Sequence, residues 1–106
     1  MANTSKLAEL SDRDIYYYQR RNKNRIFETL TSFFAEEAER RSITKKDIAE
    51  RIHRDPATIT RLLSEPSNVT ADTVSDFLLS LDAEMDYRIV RFSERPIISS
   101  AAERRR

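Results

Sequence analysis

In the stretch Thr44 to Glu65, TKKDIAERIHRDPATITRLLSE, hydroxyls, bases and helix-starting residues recur at spacings that suit contact with a nucleic acid. If Ile59 and Leu62 face a core, then Ala57, Thr60, Arg61 and Ser64 share the opposite face of one helix, at i, i+3, i+4 and i+7. A guanidinium on that face can grip guanine O6 and N7 together, which makes Arg61 the leading candidate for reading a base. Thr60 can donate, accept or offer a methyl to thymine. Thr44 and Lys45 stand at a helix start, where backbone N–H groups and the positive dipole end favour phosphate. Thr58, Ser64 and Asn68 are further phosphate candidates.

Such residues work only if two short helices hold them in a fixed relation. Thr44 with Asp47 forms a capping pair that opens one helix, running to about His53, with Ile48, Ala49 and Ile52 inward. Asp55 followed by Pro56 is a strong start for the next, an acceptor at the N-cap and proline at N1. That helix runs to about Ser64, with Ile59, Leu62 and Leu63 inward. The pair reads as a helix-turn-helix, whose second helix enters the major groove. Glu65-Pro66-Ser67-Asn68 breaks the chain, and Thr70 caps a further helix that buries Val74, Phe77, Leu78 and Leu81.

Upstream, Ser11 with Asp14 three residues on marks the start of a long first helix, from about Asp12 to Arg40. Ile26, Phe27, Leu30, Phe33, Phe34 and Ala38 recur at helical spacing and form its buried stripe. A helix of that length spans about 40 Å, more than so small a domain can cover. Its N-terminal third, with Tyr16, Tyr17 and Tyr18 beside Arg20, Arg21, Lys23 and Arg25, is expected to project or to pack on a second copy. The tyrosines read first as packing residues, and the bases beside them as flanking DNA contacts. The Glu36-Glu37-Glu39 cluster reads as a solvated face.

After Leu81 the period changes. In Met85 to Phe92, alternation places Met85, Tyr87, Ile89 and Arg91 on one face and Asp86, Arg88 and Val90 on the other, the pattern of a strand. A lone strand needs a partner, and no second one is evident in the chain. The same strand from another copy is the cheapest, so Tyr87, Arg88, Ile89, Val90 and Arg91 are expected to pair across a symmetric homodimer. The expected layout is a flexible N-terminus over 1–11, one helix-turn-helix domain with its dimerising strand over 12–92, and a flexible basic tail over 93–106.

Bulk composition is consistent with this. The 106 residues suffice for one small domain with tails. An apolar fraction of 39% beside a charged fraction of 35% suits a small helical protein better than a disordered one. Glycine is absent, which favours short helix connections over hairpins. Cysteine is absent too, which excludes a disulfide framework, a thiolate nucleophile and a zinc–thiolate cluster, and a reducing cytoplasm is the expected location. No apolar run approaches a membrane span, and the N-terminus lacks the apolar core of a secretory signal. No paired acid and base, glycine-rich phosphate loop or metal-ligand spacing is visible, so neither an enzyme nor a cofactor is expected. The net charge of +1 conceals segregation. Bases gather over 20–25, 40–61 and 88–106, acids over 28–39 and 62–86, so near-neutrality does not argue against double-stranded DNA as partner.

The residues Ile43 to Ile52, Asp55 to Ser64 and the closing helix Asp72 to Leu81 resemble the phage-repressor-like (Xre-type, lambda-repressor-like) helix-turn-helix family. The resemblance covers roughly Phe27 to Leu81. It implies an all-α bundle, here with a long first helix and a C-terminal β-strand. By position, Pro56, Ala57, Thr60 and Arg61 lie where that family reads bases, and Thr44, Lys45, Thr58 and Ser64 where it holds phosphate. The family implies a sequence-specific transcriptional regulator on an inverted repeat. The segment Leu81 to Ile89 is similar to short members that dimerise through a C-terminal strand, some of them antitoxins that also bind a toxin. Two departures stand out. His53 occupies a place where the family usually has glycine, and a positive φ there would strain it by about 1 kcal/mol. Pro56 and Ala57 replace amides that clasp adenine, leaving direct readout to Arg61 and Thr60 and more of the work to DNA shape.

Overall fold

The computed structural model describes residues 7–95. Its α-helices are α1 (Asp12–Arg41), α2 (Lys45–Arg51), α3 (Pro56–Leu62) and α4 (Ala71–Leu79), with single 3₁₀ turns at Pro66–Asn68 and Phe92–Glu94. The described residues are thus all-α.

Each α-helix starts where a side chain supplies an acceptor. Ser11 Oγ accepts from the Asp14 amide (3.0 Å) at the head of α1. At α2 the box is reciprocal: the Asp47 amide donates to Thr44 Oγ1 (3.2 Å), and the Thr44 amide donates to Asp47 Oδ2 (2.9 Å). Asp55 Oδ1 accepts from the Ala57 amide (2.9 Å), with Pro56 at the position whose missing N–H costs nothing. Thr70 and Thr73 form a second reciprocal box at α4.

The helix ends show how a chain without glycine turns. Ser42, His53 and Asp82 all adopt positive φ (54°, 59° and 60°). At His53 the turn is a Schellman motif: the Arg54 amide reaches the Ala49 carbonyl (2.9 Å) and the His53 amide the Glu50 carbonyl (3.3 Å). Asp82 repeats it, the Ala83 amide bonding the Leu78 carbonyl (2.9 Å) and the Asp82 amide the Leu79 carbonyl (3.0 Å). Lack of glycine therefore did not remove left-handed turns. It placed serine, histidine and aspartate in them, at a cost of about 1 kcal/mol each relative to glycine.

The core is one cluster of Leu30, Ile48, Ala49, Ile59, Leu62, Val74, Phe77, Leu78 and Leu81. Every helix contributes, and Phe77 lies at its centre with its ring 6.3 Å from that of Phe34. Only the C-terminal half of α1 takes part. At 30 residues the helix is about 45 Å long, and its N-terminal half extends past the bundle with Tyr16, Tyr17 and Tyr18 exposed.

The C-terminal segment behaves differently from its alternating pattern. No β-strand forms among the described residues. Ala83 and Met85 pack against the core, then the chain leaves it, with Tyr87 79% and Ile89 fully exposed. Phe92 finally returns to α1, its ring 5.3 Å from that of Tyr18. The physical reason is the one that called for a second copy: an isolated strand has no ladder to join. Residues 1–6 of the expected flexible N-terminus, and 96–106 of the expected basic tail, lie outside the described residues.

Candidate nucleic-acid interface

The roll of α3 is set by Ile59 and Leu62, only 2% and 3% exposed. Because side chains project at fixed angles from a helix, burying those two turns Pro56, Ala57, Thr60 and Arg61 to the surface, and all four are exposed. The Arg61 guanidinium makes one weak contact, Nη2 to Thr58 Oγ1 at 3.5 Å, and has no acidic partner among the described residues. It is a planar fork held loosely on an outer helix face, with the geometry to meet a planar acceptor pair.

The phosphate candidates divide. Lys45 is half-buried by its stem and has no acidic partner among the described residues. Thr58 is half-buried beside Arg61. Thr44 is occupied, its hydroxyl and its amide both engaged in the α2 capping box. Ser64 and Asn68 close the other end of α3. Ser64 Oγ donates to the Arg61 carbonyl (2.8 Å), and Asn68 Nδ2 donates to the same oxygen (2.6 Å) and to Ser64 Oγ (3.5 Å). Thr44 thus caps α2, while Ser64 and Asn68 tie the end of α3 to the turn that follows; the side chains of Lys45, Thr58, Thr60 and Arg61 take no part in these caps.

The other bases of the segment have a different role. Asp82 receives Arg51 through both oxygens (2.8 and 3.0 Å) and Arg41 at 3.1 Å. The same guanidiniums close the end of α4: Arg51 donates to the Ser80 carbonyl (3.1 Å) and Arg41 to the Leu81 carbonyl (3.3 Å). Arg54 pairs with Asp76 at 3.1 Å. Glu37 is a correction to the sequence reading. It is not part of a solvated face but buried at 5% exposure, holding Arg40 (2.8 Å) and Arg41 (3.2 Å). Arg40 holds the Glu37 carboxyl below its ordinary value, against the opposing effect of burial, and Arg41 adds to the lowering. Arg51 and then Arg41 lower Asp82 in the same way.

The expectation that the bases of 40–61 act together at a phosphate surface is therefore narrowed. Arg40, Arg41, Arg51 and Arg54 are internal ties, and Lys46 sits 4.0 Å from Glu50. Sequence spacing makes the Glu37 pairs with Arg40 and Arg41 legible, at i+3 and i+4. The ties of Asp82 and Asp76 bridge 22 to 41 residues of sequence and leave no local signal.

Of the expected dimer strand, Tyr87, Arg88, Ile89 and Val90 are exposed, and Arg91 is engaged with Glu94 (3.2 Å). A groove against α4, lined by Leu78, Leu79, Met85 and Tyr87, runs beside this segment. No helix among the described residues is long and apolar enough to cross a membrane. No known protein family matches the chain, and no curated protein or solved structure matches it either.

Proposed function

We propose that this chain is a sequence-specific DNA-binding transcriptional regulator of lambda-repressor-like fold, not an enzyme, with α3 as its recognition helix. The observation that carries the reading is the outward set Ala57, Thr60 and Arg61, held there by buried Ile59 and Leu62, with Arg61 unpaired while its basic neighbours are tied to acids. A protein that neutralises every guanidinium of a motif except the one at its outer face leaves that one for an external acceptor. Arg61 reads a base, Thr60 assists, and Lys45 with Thr58 holds the backbone. Two copies present two recognition helices to successive major grooves, about 34 Å apart on an inverted repeat. The pairing element is the exposed segment Tyr87 to Arg91, whose backbone has no ladder partner among the described residues.

The test is selection from a random duplex library with the wild-type protein and Arg61→Ala in parallel, at near-physiological salt. The expected result is an enriched inverted repeat that loses preference at one position per half-site in the variant. Absence of enrichment with both proteins rejects the reading.

A second reading, an antitoxin-type module that binds a protein partner, draws on a different surface. Leu10, Ile15, Tyr18 and Phe92 line an apolar groove on the projecting half of α1, away from the recognition helix. Mass measurement of complexes formed with the product of a neighbouring reading frame distinguishes the two, because only the second predicts a stable heteromer.

A further inference from the structure

The projecting half of α1 carries two faces of unlike chemistry. The face bearing Ile26, Phe27, Leu30 and Phe34 over the bundle continues N-terminally, at helical spacing, as Tyr16, Gln19, Arg20 and Lys23. The stripe that is apolar where it meets the core becomes basic where the core ends. Beyond the core that stripe overhangs the loop after α3, and Tyr16, Gln19, Arg20 and Lys23 form one open cleft with Pro66 and Ser67. Ser67 adjoins Asn68, whose side chain bonds the carbonyl of Arg61 (2.6 Å), so the cleft continues from the C-terminal end of the recognition helix.

Arg20 and Lys23 have no acidic partner among the described residues, and the Arg20 guanidinium lies over the Tyr16 ring, 5.6 Å from its centroid. That stacking restrains the side chain without neutralising it. The acid on the cleft, Glu65, accepts from the Ser67 hydroxyl. Two unpaired cations, one of them restrained, beside a helix end that faces a duplex fit a row of phosphates.

We infer that Arg20 and Lys23 form a phosphate clamp for a DNA strand flanking the segment read by α3, so that the long first helix extends the footprint beyond the bases the motif reads. The inference rests on the DNA-binding reading above. The clamp carries no sequence preference, because phosphates are alike at every step. It adds affinity and salt dependence, each neutralised phosphate contributing about 0.9 to the slope of log K against log salt.

The test is a salt titration of binding to a random-sequence duplex about 40 base pairs long, four helical turns. It compares the wild type, Arg20→Ala/Lys23→Ala, the charge-keeping Arg20→Lys/Lys23→Arg, and Lys46→Ala/Arg95→Ala. The last pair removes the same charge from positions outside the recognition helix, its phosphate set and the pairing segment. Circular dichroism melts establish that all four are folded, as expected for positions outside the core. The expected result is a slope smaller by about 1.8 per protomer in Arg20→Ala/Lys23→Ala alone, close to wild type in the other two. An unchanged slope in Arg20→Ala/Lys23→Ala, or an equal fall in Lys46→Ala/Arg95→Ala, overturns the clamp and leaves the recognition helix intact as a proposal. Wild-type protein that binds no duplex at any salt removes the DNA-binding reading itself, and the clamp with it.

Discussion

The two ends of the α2–α3 segment use basic residues in opposite ways. At one end Arg41, Arg51 and Arg54 are spent on Asp82 and Asp76 and tie the C-termini of α1 and α2, with the turn beyond α2, to α4. At the other Arg61, with Lys45 and the overhanging Arg20 and Lys23, has no acidic partner among the described residues. Arginine count along the chain therefore overstates the charge available to a ligand. What a base contributes, stability or recognition, is decided by whether an acid lies within reach in space. The paired end should respond to mutation in stability alone, and the unpaired end in binding alone.

The largest separation is expected at Asp82. Asp82→Ala strips the partner from Arg41 and Arg51 at once and should lower the melting temperature clearly, with the salt dependence of DNA binding by the remaining folded protein unchanged. A changed salt slope would mean that those arginines also reach phosphate. Arg61→Ala is the mirror case, with a loss of about 1–3 kcal/mol in binding, confined to one base position, and no change in melting temperature. Equal weakening on every sequence would make Arg61 a backbone contact.

Asp55 lies between the two regimes because it caps α3 itself. Asp55→Ala should cost about 1 kcal/mol of stability and loosen the first turn that carries Ala57, so both melting and binding shift. His53→Gly acts only on the scaffold. With φ at 59° and a Schellman turn already formed, it should stabilise by somewhat under 1 kcal/mol. A lowered melting temperature would contradict that turn geometry.

The paired end also predicts acid sensitivity. Glu37 and Asp82 titrate lower when folded than their ordinary values of 4.5 and 3.8, which they regain on unfolding. Their contribution to stability is therefore complete above that range and is lost as pH falls through the lowered folded values. Urea midpoints should hold from neutrality to about pH 4.5 and then fall, and the fall should flatten in Glu37→Gln/Asp82→Asn.

The sequence by itself determined the helices and their starts. Thr44 with Asp47, Asp55 with Pro56, and Thr70 are local chemistry, each acting within three residues, and each cap forms where its residues stand. It also determined which face of each helix is buried, because a periodic apolar stripe admits one roll, and so it placed Ala57, Thr60 and Arg61 outward. Tertiary structure alone decided which charges are free. Asp82 meets Arg41 across 41 residues and Arg51 across 31, and burial of Glu37 depends on what α1 packs against. It also decided that Ser64 and Asn68 tie off the end of α3, that Met85 to Phe92 pairs with no strand among the described residues, and that Phe92 rests on Tyr18. Local preferences are written in neighbouring residues, whereas a Coulomb pair or a ring contact depends on distance in space, which sequence separation does not encode.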